Sequence, residues 1–202
     1  MTLFIIVITA LISIQAFYKH DIYAKLVFNP YIIKRDGKQW FRFISSGFIH
    51  ADWMHLGVNM FVFFSFGSAL ENYYTFAFGE LAKLHFIILY LSSIAIASLS
   101  TFIKYKDSSY YNSLGASGAV SAITFACILF SPRSDILLYG FPIPSYVYGA
   151  LYLIYSSYMG KRGGDHINHD AHFYGAIYGI IYTLVFKPGL GLHFLNQFGL
   201  HT

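Results

Sequence analysis

The sequence predicts an all-α, polytopic membrane domain built from six transmembrane helices, and three observations support this fold class. Hydrophobic residues make up 56% of the chain and charged residues only 11%, whereas a soluble domain carries about 25% charged residues. Several apolar runs reach the roughly 17–25 residues that a helix needs to cross a bilayer. The length suits one domain, so we expect residues 1–202 to form a single unit with the bilayer as its surroundings.

Each predicted span is an apolar run bounded by polar or turn-forming residues. The six runs cover residues 2–18, 53–70, 81–103, 114–131, 136–159 and 171–186. No Lys or Arg precedes the first run and no small-residue cleavage site follows it, so we interpret it as a retained span rather than a signal peptide. The fifth run is interrupted by FPIP at 141–144. A long, aromatic-rich loop at 19–52 joins the first two spans.

Charge and cysteine content narrow the function classes. The net charge of +4 comes from basic residues scattered among apolar runs, and this pattern does not predict a nucleic-acid partner. The single cysteine, Cys127, excludes an internal disulfide and a cysteine metal cluster. The lipid bilayer is therefore the first predicted partner.

Four polar residues are predicted to share one depth in the membrane. Spans two, four and six run parallel in an up-and-down chain, and their first turns contain His55, Asn59, Ser117 and His172. Polar groups inside a membrane are costly and indicate a functional site by default. Hydrogen bonding between neighbouring helices explains any one of them alone. Because all four are predicted at the same depth in the membrane, a functional site is the favoured interpretation.

Small residues on spans four and six predict that these two helices pack closely. They recur at every fourth position, as Gly118, Ala122 and Ala126 on span four and as Ala171, Gly175 and Gly179 on span six. Such stripes let two helix backbones approach. Ser117 and His172 lie beside the tops of the two stripes, so packing would bring a hydroxyl near a general base. Asp170, two residues before His172, does not share its helix face, which favours a Ser–His dyad.

Acyl transfer also needs hydrogen-bond donors for the oxyanion. The backbone N–H of Ser117 lies in the first turn of its helix, where such groups are free. His55 and Asn59 are four residues apart and share one face of span two. Both carry N–H donors, so we predict that all three groups form the oxyanion site.

Three motifs in order resemble the rhomboid intramembrane serine proteases. They are HADWMHLGVN at 50–59, GASGA at 115–119 and AHFYG at 171–175. QWFRF at 39–43 is similar to the Trp-Arg motif of the family's first loop. The positions that match the family are Trp40, Arg42, His50, His55, Asn59, Glu71, Gly115, Ser117, Gly118, Ala171, His172 and Gly175.

The resemblance implies a six-helix rhomboid-like bundle and an intramembrane serine endopeptidase. Its substrates would be single-pass membrane proteins, cut near the extracytoplasmic end of their transmembrane segment by the Ser117–His172 dyad. The resemblance assigns structural support to His50, Trp40, Arg42, Glu71, Gly115, Gly118 and Gly175. It implies no cofactor and no metal. It also implies an integral, multi-pass membrane protein, which in a bacterium would lie in the inner membrane. The loops beside the site are rich in basic residues, and the positive-inside rule would place them in the cytoplasm. We nevertheless expect the family orientation, in which the site opens to the extracytoplasmic side.

One position departs from the family pattern. Family members often carry an aromatic residue one turn after the nucleophile, stacked on the catalytic histidine, and here that position is Ser121. The stacking ring is therefore missing or supplied from elsewhere, with Phe173 as a candidate. Two alternatives remain open: a metal-dependent membrane hydrolase and a non-catalytic rhomboid-like protein that binds membrane helices. The metal alternative rests on His50, His55, His166, His169 and His172 near one face, although we expect His166 and His169 to lie in a wet loop.

Overall fold

A computed structural model describes residues 1–138 and 140–200 of the chain, and these residues are mostly helical. The α-helices in chain order are α1 (Thr2–Tyr18), α2 (His20–Leu26), α3 (Pro30–Arg35), α4 (Arg42–Ser45), α5 (Trp53–Phe78), α6 (Ala82–Tyr105), α7 (Ser117–Phe130), α8 (Ser145–Arg162), α9 (His169–Phe186) and α10 (Gly189–Asn196). Short 3-10 turns occupy Gly37–Phe41, Ser46–Phe48 and Gly79–Leu81. Strands β1 (Asp135–Leu138) and β2 (Phe141–Pro144) form an antiparallel hairpin.

The hairpin corrects the predicted fifth span, which began at residue 136. Pro142 and Pro144 lack the amide hydrogen that a helix interior needs, and they are tolerated because both strands of a two-stranded sheet are edge strands. Helix α8 begins only after them, at Ser145. The Ser145 hydroxyl donates to the backbone carbonyl oxygens of Ser131 (2.7 Å) and Pro132 (2.8 Å), which ties this start to the end of α7. The other five predicted spans overlap α1, α5, α6, α7 and α9.

Length and hydropathy single out part of this helical framework as able to cross a bilayer. The stretch Trp53–Tyr105 passes, with a mean hydropathy of 2.1, and it contains α5 and α6. Helices α9 and α10 pass only as a pair that is bent by 112°. Helices α1 and α7 are apolar but shorter. Within residues 1–138 and 140–200 these criteria identify one span, or two with the bent pair, so the six-helix bundle remains a prediction.

Helix α7 forms the centre of the core. Every residue from Gly118 to Leu129 is buried, and α5, α6 and α9 pack around it. The predicted packing of the small-residue stripes is confirmed. A Cβ added at Gly175 would overlap the Gly118 carbonyl oxygen, and one added at Gly179 would overlap that of Ala122. The backbones of α7 and α9 therefore touch directly.

The loop at 19–52 is folded, and Arg42 holds it together. The buried guanidinium donates to the carbonyl oxygens of Ala24 (2.9 Å) and Val27 (2.7 Å), and to the side chain of Gln39 (2.9 Å). Trp40 stacks on Phe43, whose ring in turn contacts Phe102 of α6. These contacts fasten the loop to the side of the helix bundle.

Glu71 lies in the second half of α5 and joins this helix to the beginning of α1. Its carboxylate accepts a hydrogen bond from the Thr2 backbone N–H at 3.1 Å and pairs with the amino group of Met1. Thr2 itself is buried against Gly67 of α5. The pair fixes α1 against α5 at one end of the molecule.

Candidate active site

Ser117 is the first residue of α7, at the end of a tightly held turn. Gly115 adopts φ of 114°, a backbone conformation that favours glycine, and a Cβ there would lie 2.8 Å from the His55 ring. The Gly115 N–H donates to the Ser46 carbonyl oxygen at 3.0 Å. The Ala116 N–H points to Nε2 of His50 at 3.4 Å. Two hydrogen bonds thus fix the turn that presents the serine.

His50 lies outside the helices and is almost fully buried, and its hydrogen bonds define its protonation. Nε2 accepts from Ala116, so the ring proton belongs on Nδ1, which lies 2.9 Å from the Ser13 hydroxyl. That hydroxyl donates in turn to the Phe48 carbonyl oxygen at 3.0 Å. Burial lowers the pKa of His50 to about 3, which keeps the ring neutral. The network connects α1 to the turn before Ser117.

His172 lies in the first turn of α9, whose start is fixed by Asn168. The Asn168 side chain accepts from the Ala171 N–H at 3.1 Å and caps the helix. Its amide nitrogen lies 2.9 Å from the Thr101 hydroxyl and 3.0 Å from the Ser113 hydroxyl. The start of α9 is therefore tied to α6 and to the segment that leads into α7.

A single cavity of about 1190 Å³ brings the four predicted residues together. Ser117, His172, His55 and Asn59 all line it. Within the described residues the Ser117 hydroxyl makes no hydrogen bond to His172, and catalytic hydrogen bonds are often long before substrate binds. The cavity also reaches the loop at 161–169, which lies at its mouth.

His55 and Asn59 form the α5 wall of the cavity. The His55 ring packs against Gly115 and meets the His50 ring edge-on, with centroids 4.9 Å apart. The Asn59 amide donates to the His55 carbonyl oxygen at 2.9 Å, one turn earlier on the same helix. This bond uses one of its two N–H groups and leaves the other for a ligand.

The ring that lies nearly parallel to that of His172 belongs to Tyr152 of α8, and the expectation of Phe173 is wrong. The Tyr152 and His172 rings lie 6.4 Å apart at 27°. Phe173 instead meets Tyr174. Tyr152 could not be predicted from the sequence, because the helix periodicity of α8 does not indicate which of its faces packs against α9.

His169 is the second correction, because it is buried rather than part of a wet loop. Its Nε2 lies 3.0 Å from an Asp165 carboxylate oxygen, and this hydrogen bond lowers the pKa of Asp165 below its usual value. The His169 and His172 rings meet edge-on at 5.9 Å. His166 is exposed, as expected. Asp170 pairs with Lys104 of α6 at 3.0 Å and does not cap α9.

The alternative of a metal-dependent hydrolase finds no set of metal ligands in the described part of the chain. Among residues 1–138 and 140–200, no three His, Cys, Asp or Glu side chains converge in a way that could hold a metal ion. His50 makes hydrogen bonds with Ala116 and Ser13, and His169 makes one with Asp165. The histidines of this face serve other contacts.

Comparison with known proteins identifies the family. Residues 37–189 match the Rhomboid domain, which is more than half of the chain, and the chain belongs to the rhomboid family. Its apolar helices and its family agree with a membrane-associated protein. The matched region contains every predicted site residue.

Curated relatives show the same family likeness. The chain is 30% identical over 147 residues to Rhomboid protein 1, mitochondrial, of Saccharomyces cerevisiae, covering 69% of this chain and 40% of the relative. It is 30% identical over 141 residues to the Presenilin-associated rhomboid-like protein, mitochondrial, of Mus musculus, covering 68% and 36%. It is 26% identical over 151 residues to Rhomboid-like protein 11, chloroplastic, of Arabidopsis thaliana, covering 70% and 51%. The chain thus spans 36% to 51% of the length of these relatives.

Proposed function

We propose that this chain is an intramembrane serine endopeptidase that cleaves single-pass membrane proteins by a Ser117–His172 dyad. One observation carries the proposal. The close approach of Gly118 to Gly175 brings the starts of α7 and α9 together, and both reactive side chains line one cavity there. Membership of the rhomboid family supports the same chemistry.

We also propose that the domain crosses the bilayer six times. The stretch Trp53–Tyr105 has 53 residues, and at about 1.5 Å per residue a straight helix of this length would be about 80 Å long, far more than a bilayer core of about 30 Å. The chain instead reverses at Gly79, which has φ of 56°, and α5 packs against α6. This supports two passes. Helices α1, α7, α8 and α9 would supply the other four.

The dyad chemistry follows from the residue types. His172 would take the proton of the Ser117 hydroxyl while the oxygen attacks the substrate carbonyl. The backbone N–H of Ser117, with His55 and Asn59, would donate to the oxyanion that forms. Collapse of this intermediate breaks the peptide bond, and His172 returns the proton to the leaving amine. Water then releases the acyl group from Ser117 by the same steps.

The environment of the proposed reaction is an integral, multi-pass location with membrane-protein substrates. The relatives are named as mitochondrial or chloroplastic proteins, and in a bacterial host we would expect the inner membrane. We place the cavity mouth on the extracytoplasmic side. A cysteine introduced at exposed His166 should then react with an impermeant thiol reagent in intact cells, and labelling only after lysis would reverse the orientation.

The direct test uses the purified chain in liposomes with a single-pass substrate. Ser117→Ala and His172→Ala should each abolish cleavage while the melting temperature stays near that of wild type. Ser65→Ala is the matched control, because the Ser65 hydroxyl is exposed and bonds only within α5. Cleavage that persists in Ser117→Ala would refute the nucleophile. Substrate capture without cleavage by the wild type would favour the non-catalytic alternative.

A further inference from the structure

The residue one turn after Ser117 is small, and a ring from another helix occupies the space beside it. Ser121 is buried on α7, and its hydroxyl lies 2.5 Å from the hydroxyl of Tyr152 on α8. The Tyr152 ring faces His172 with centroids 6.4 Å apart and planes at 27°. This separation lies within the range of interacting aromatic pairs, about 4.5–7 Å.

The direction of the hydrogen bonds links Tyr152 to the nucleophile. The Ser121 hydroxyl donates to the Ser117 carbonyl oxygen at 2.8 Å. A serine hydroxyl has one proton, so Ser121 accepts in its bond with Tyr152, and the phenol is the donor. Tyr152 is therefore held at its hydroxyl by the backbone of Ser117, through one intervening hydroxyl, while its ring faces His172.

Two further rings restrict the orientation of Tyr152. Phe125 of α7 lies 5.5 Å away and Tyr148, one turn earlier on α8, lies 5.8 Å away. With its hydroxyl bound and its ring contacted by these two neighbours, the side chain has few other rotamers. A larger residue at position 121 would occupy the place of the phenol. Ser121 and Tyr152 thus form a complementary small–large pair across α7 and α8.

We propose that Tyr152 is a positioning residue for His172, and that α8 supplies this ring because position 121 of α7 is small. The proposal rests on the proposed function, in which His172 is the general base. Tyr152 acts through His172 and does not contact the reacting atoms. The outer face of α8 is exposed at Leu151, Ile154 and Tyr158, so α8 packs on one side only. The orientation of the base consequently depends on where this edge helix lies.

The test compares variants of Tyr152 in the liposome assay, with kcat and KM measured separately. Tyr152→Leu removes the ring and should lower kcat by roughly ten- to a hundredfold with KM little changed, because a catalytic group displaced by about 1 Å costs up to that much. Tyr152→Phe keeps the ring and loses only its bond to Ser121, so kcat should fall by about two- to tenfold, as expected for one hydrogen bond. Tyr158→Leu, on the exposed face of α8, is the matched control and should match wild type.

Relocation of the ring gives the sharpest result. Ser121→Tyr alone should clash with Tyr152 and lose activity, and Ser121→Tyr combined with Tyr152→Ala should recover most of it. Such non-additivity measures the coupling of the two positions directly. If Tyr152→Leu does not fold, the variant with both Ser121→Tyr and Tyr152→Ala tests the positioning role instead. Its recovery supports the proposal, and a folded but inactive double variant overturns it.

Two outcomes separate this inference from the proposed function. Nitrogen-15 histidine spectra of the folded protein report on His172 without any reaction, and Tyr152→Leu but not Tyr158→Leu should shift the His172 signals. If wild type cleaves no substrate, the proposed function fails while this shift still tests the contact. If wild type cleaves and Tyr152→Leu raises KM with kcat unchanged, Tyr152 binds substrate instead, and the positioning role is wrong. Unchanged kcat and unchanged spectra would also overturn it.

Discussion

Helix α7 meets its two neighbours in the site in different ways. Against α9 the backbones touch, because glycines face the carbonyl oxygens of Gly118 and Ala122. Against α8 the contact is made by side chains: Tyr152 is bound to Ser121, and a Cβ added at Gly149 would lie 3.3 Å from the Ile128 side chain. The first contact cannot change without moving a helix, whereas the second depends on which side chains fill the space between the helices. We therefore expect the backbone contact to set the distance between Ser117 and His172, and the Tyr152 ring to set the orientation of the imidazole.

The largest effect should come from breaking the backbone contact. Gly175→Val would drive a branched side chain into the Gly118 carbonyl oxygen and separate α7 from α9. We expect a loss of about a hundredfold or more in kcat, because a displacement of about 1 Å can cost a hundredfold and the branched side chain would move a whole helix. The measurement is kcat in liposomes alongside the folded yield.

Gly57→Val is the matched control for this substitution. A Cβ at Gly57 of α5 meets nothing within 4 Å, so the same chemical change there should leave kcat near that of wild type. Full activity in Gly175→Val would mean that the α7–α9 contact does not set the distance between the two reactive side chains.

An effect of similar size should follow from the third wall, on α5. His55→Ala should lower kcat by roughly a hundred- to a thousandfold if His55 is a principal oxyanion donor, with KM little changed. Asn59→Ala should cost less, because one Asn59 N–H is already bound to the His55 carbonyl oxygen. Both variants need a melting temperature measured beside kcat. If activity falls only in proportion to the folded fraction, these residues hold α5 in place and do not stabilise the oxyanion.

The smallest effect on rate, and a clear effect on stability, should come from His50, which holds the turn before α7. His50→Ala leaves the buried Ala116 N–H without its acceptor and should lower the free energy of unfolding by about 1–3 kcal/mol near neutral pH. The folded pKa of about 3 lies below the ordinary 6.5, so below pH 6.5 the unfolded chain takes up a proton that the folded protein does not. Wild type should therefore lose stability as the pH falls, and its advantage over His50→Ala should shrink.

Thermal melting of both proteins at pH 7.5, 6 and 5 checks this sign. His20→Ala, at an exposed position in the first loop, is the control and should melt like wild type at each pH. A gap between wild type and His50→Ala that stays constant from pH 7.5 to 5 would contradict the neutral, buried histidine.

The backbone contact could be predicted from the sequence, but the ring could not. Gly118 and Ala122, like Gly175 and Gly179, are four residues apart, and this spacing alone defines a helix face whose small size predicts close packing. The predicted dyad and both helix stripes followed from this rule. The position of Tyr152 depends on how α8 is rotated, and α8 begins only after the hairpin, where Ser145 bonds to the end of α7. The apolar content of residues 136–144 suggested a helix, and their two prolines led to strands instead.

Buried histidines show a second limit of sequence reasoning. His166 and His169 stand three residues apart in the same polar segment, and the sequence predicts a wet loop for both. Only His169 is buried, because α9 begins there and turns its ring toward Tyr155 and Asp165. The sequence around the two histidines has the same composition. Which of them is buried depends on where α9 begins.

The most direct measurement of the proposed dyad is the site and rate of covalent modification by a fluorophosphonate, a reagent that bonds to activated serine hydroxyls. Mass spectrometry of the labelled wild type should find one adduct, on Ser117, and labelling should be abolished in His172→Ala and strongly slowed in Gly175→Val. An adduct on Ser121 or another serine, or a labelling rate that does not change in His172→Ala, would contradict the dyad.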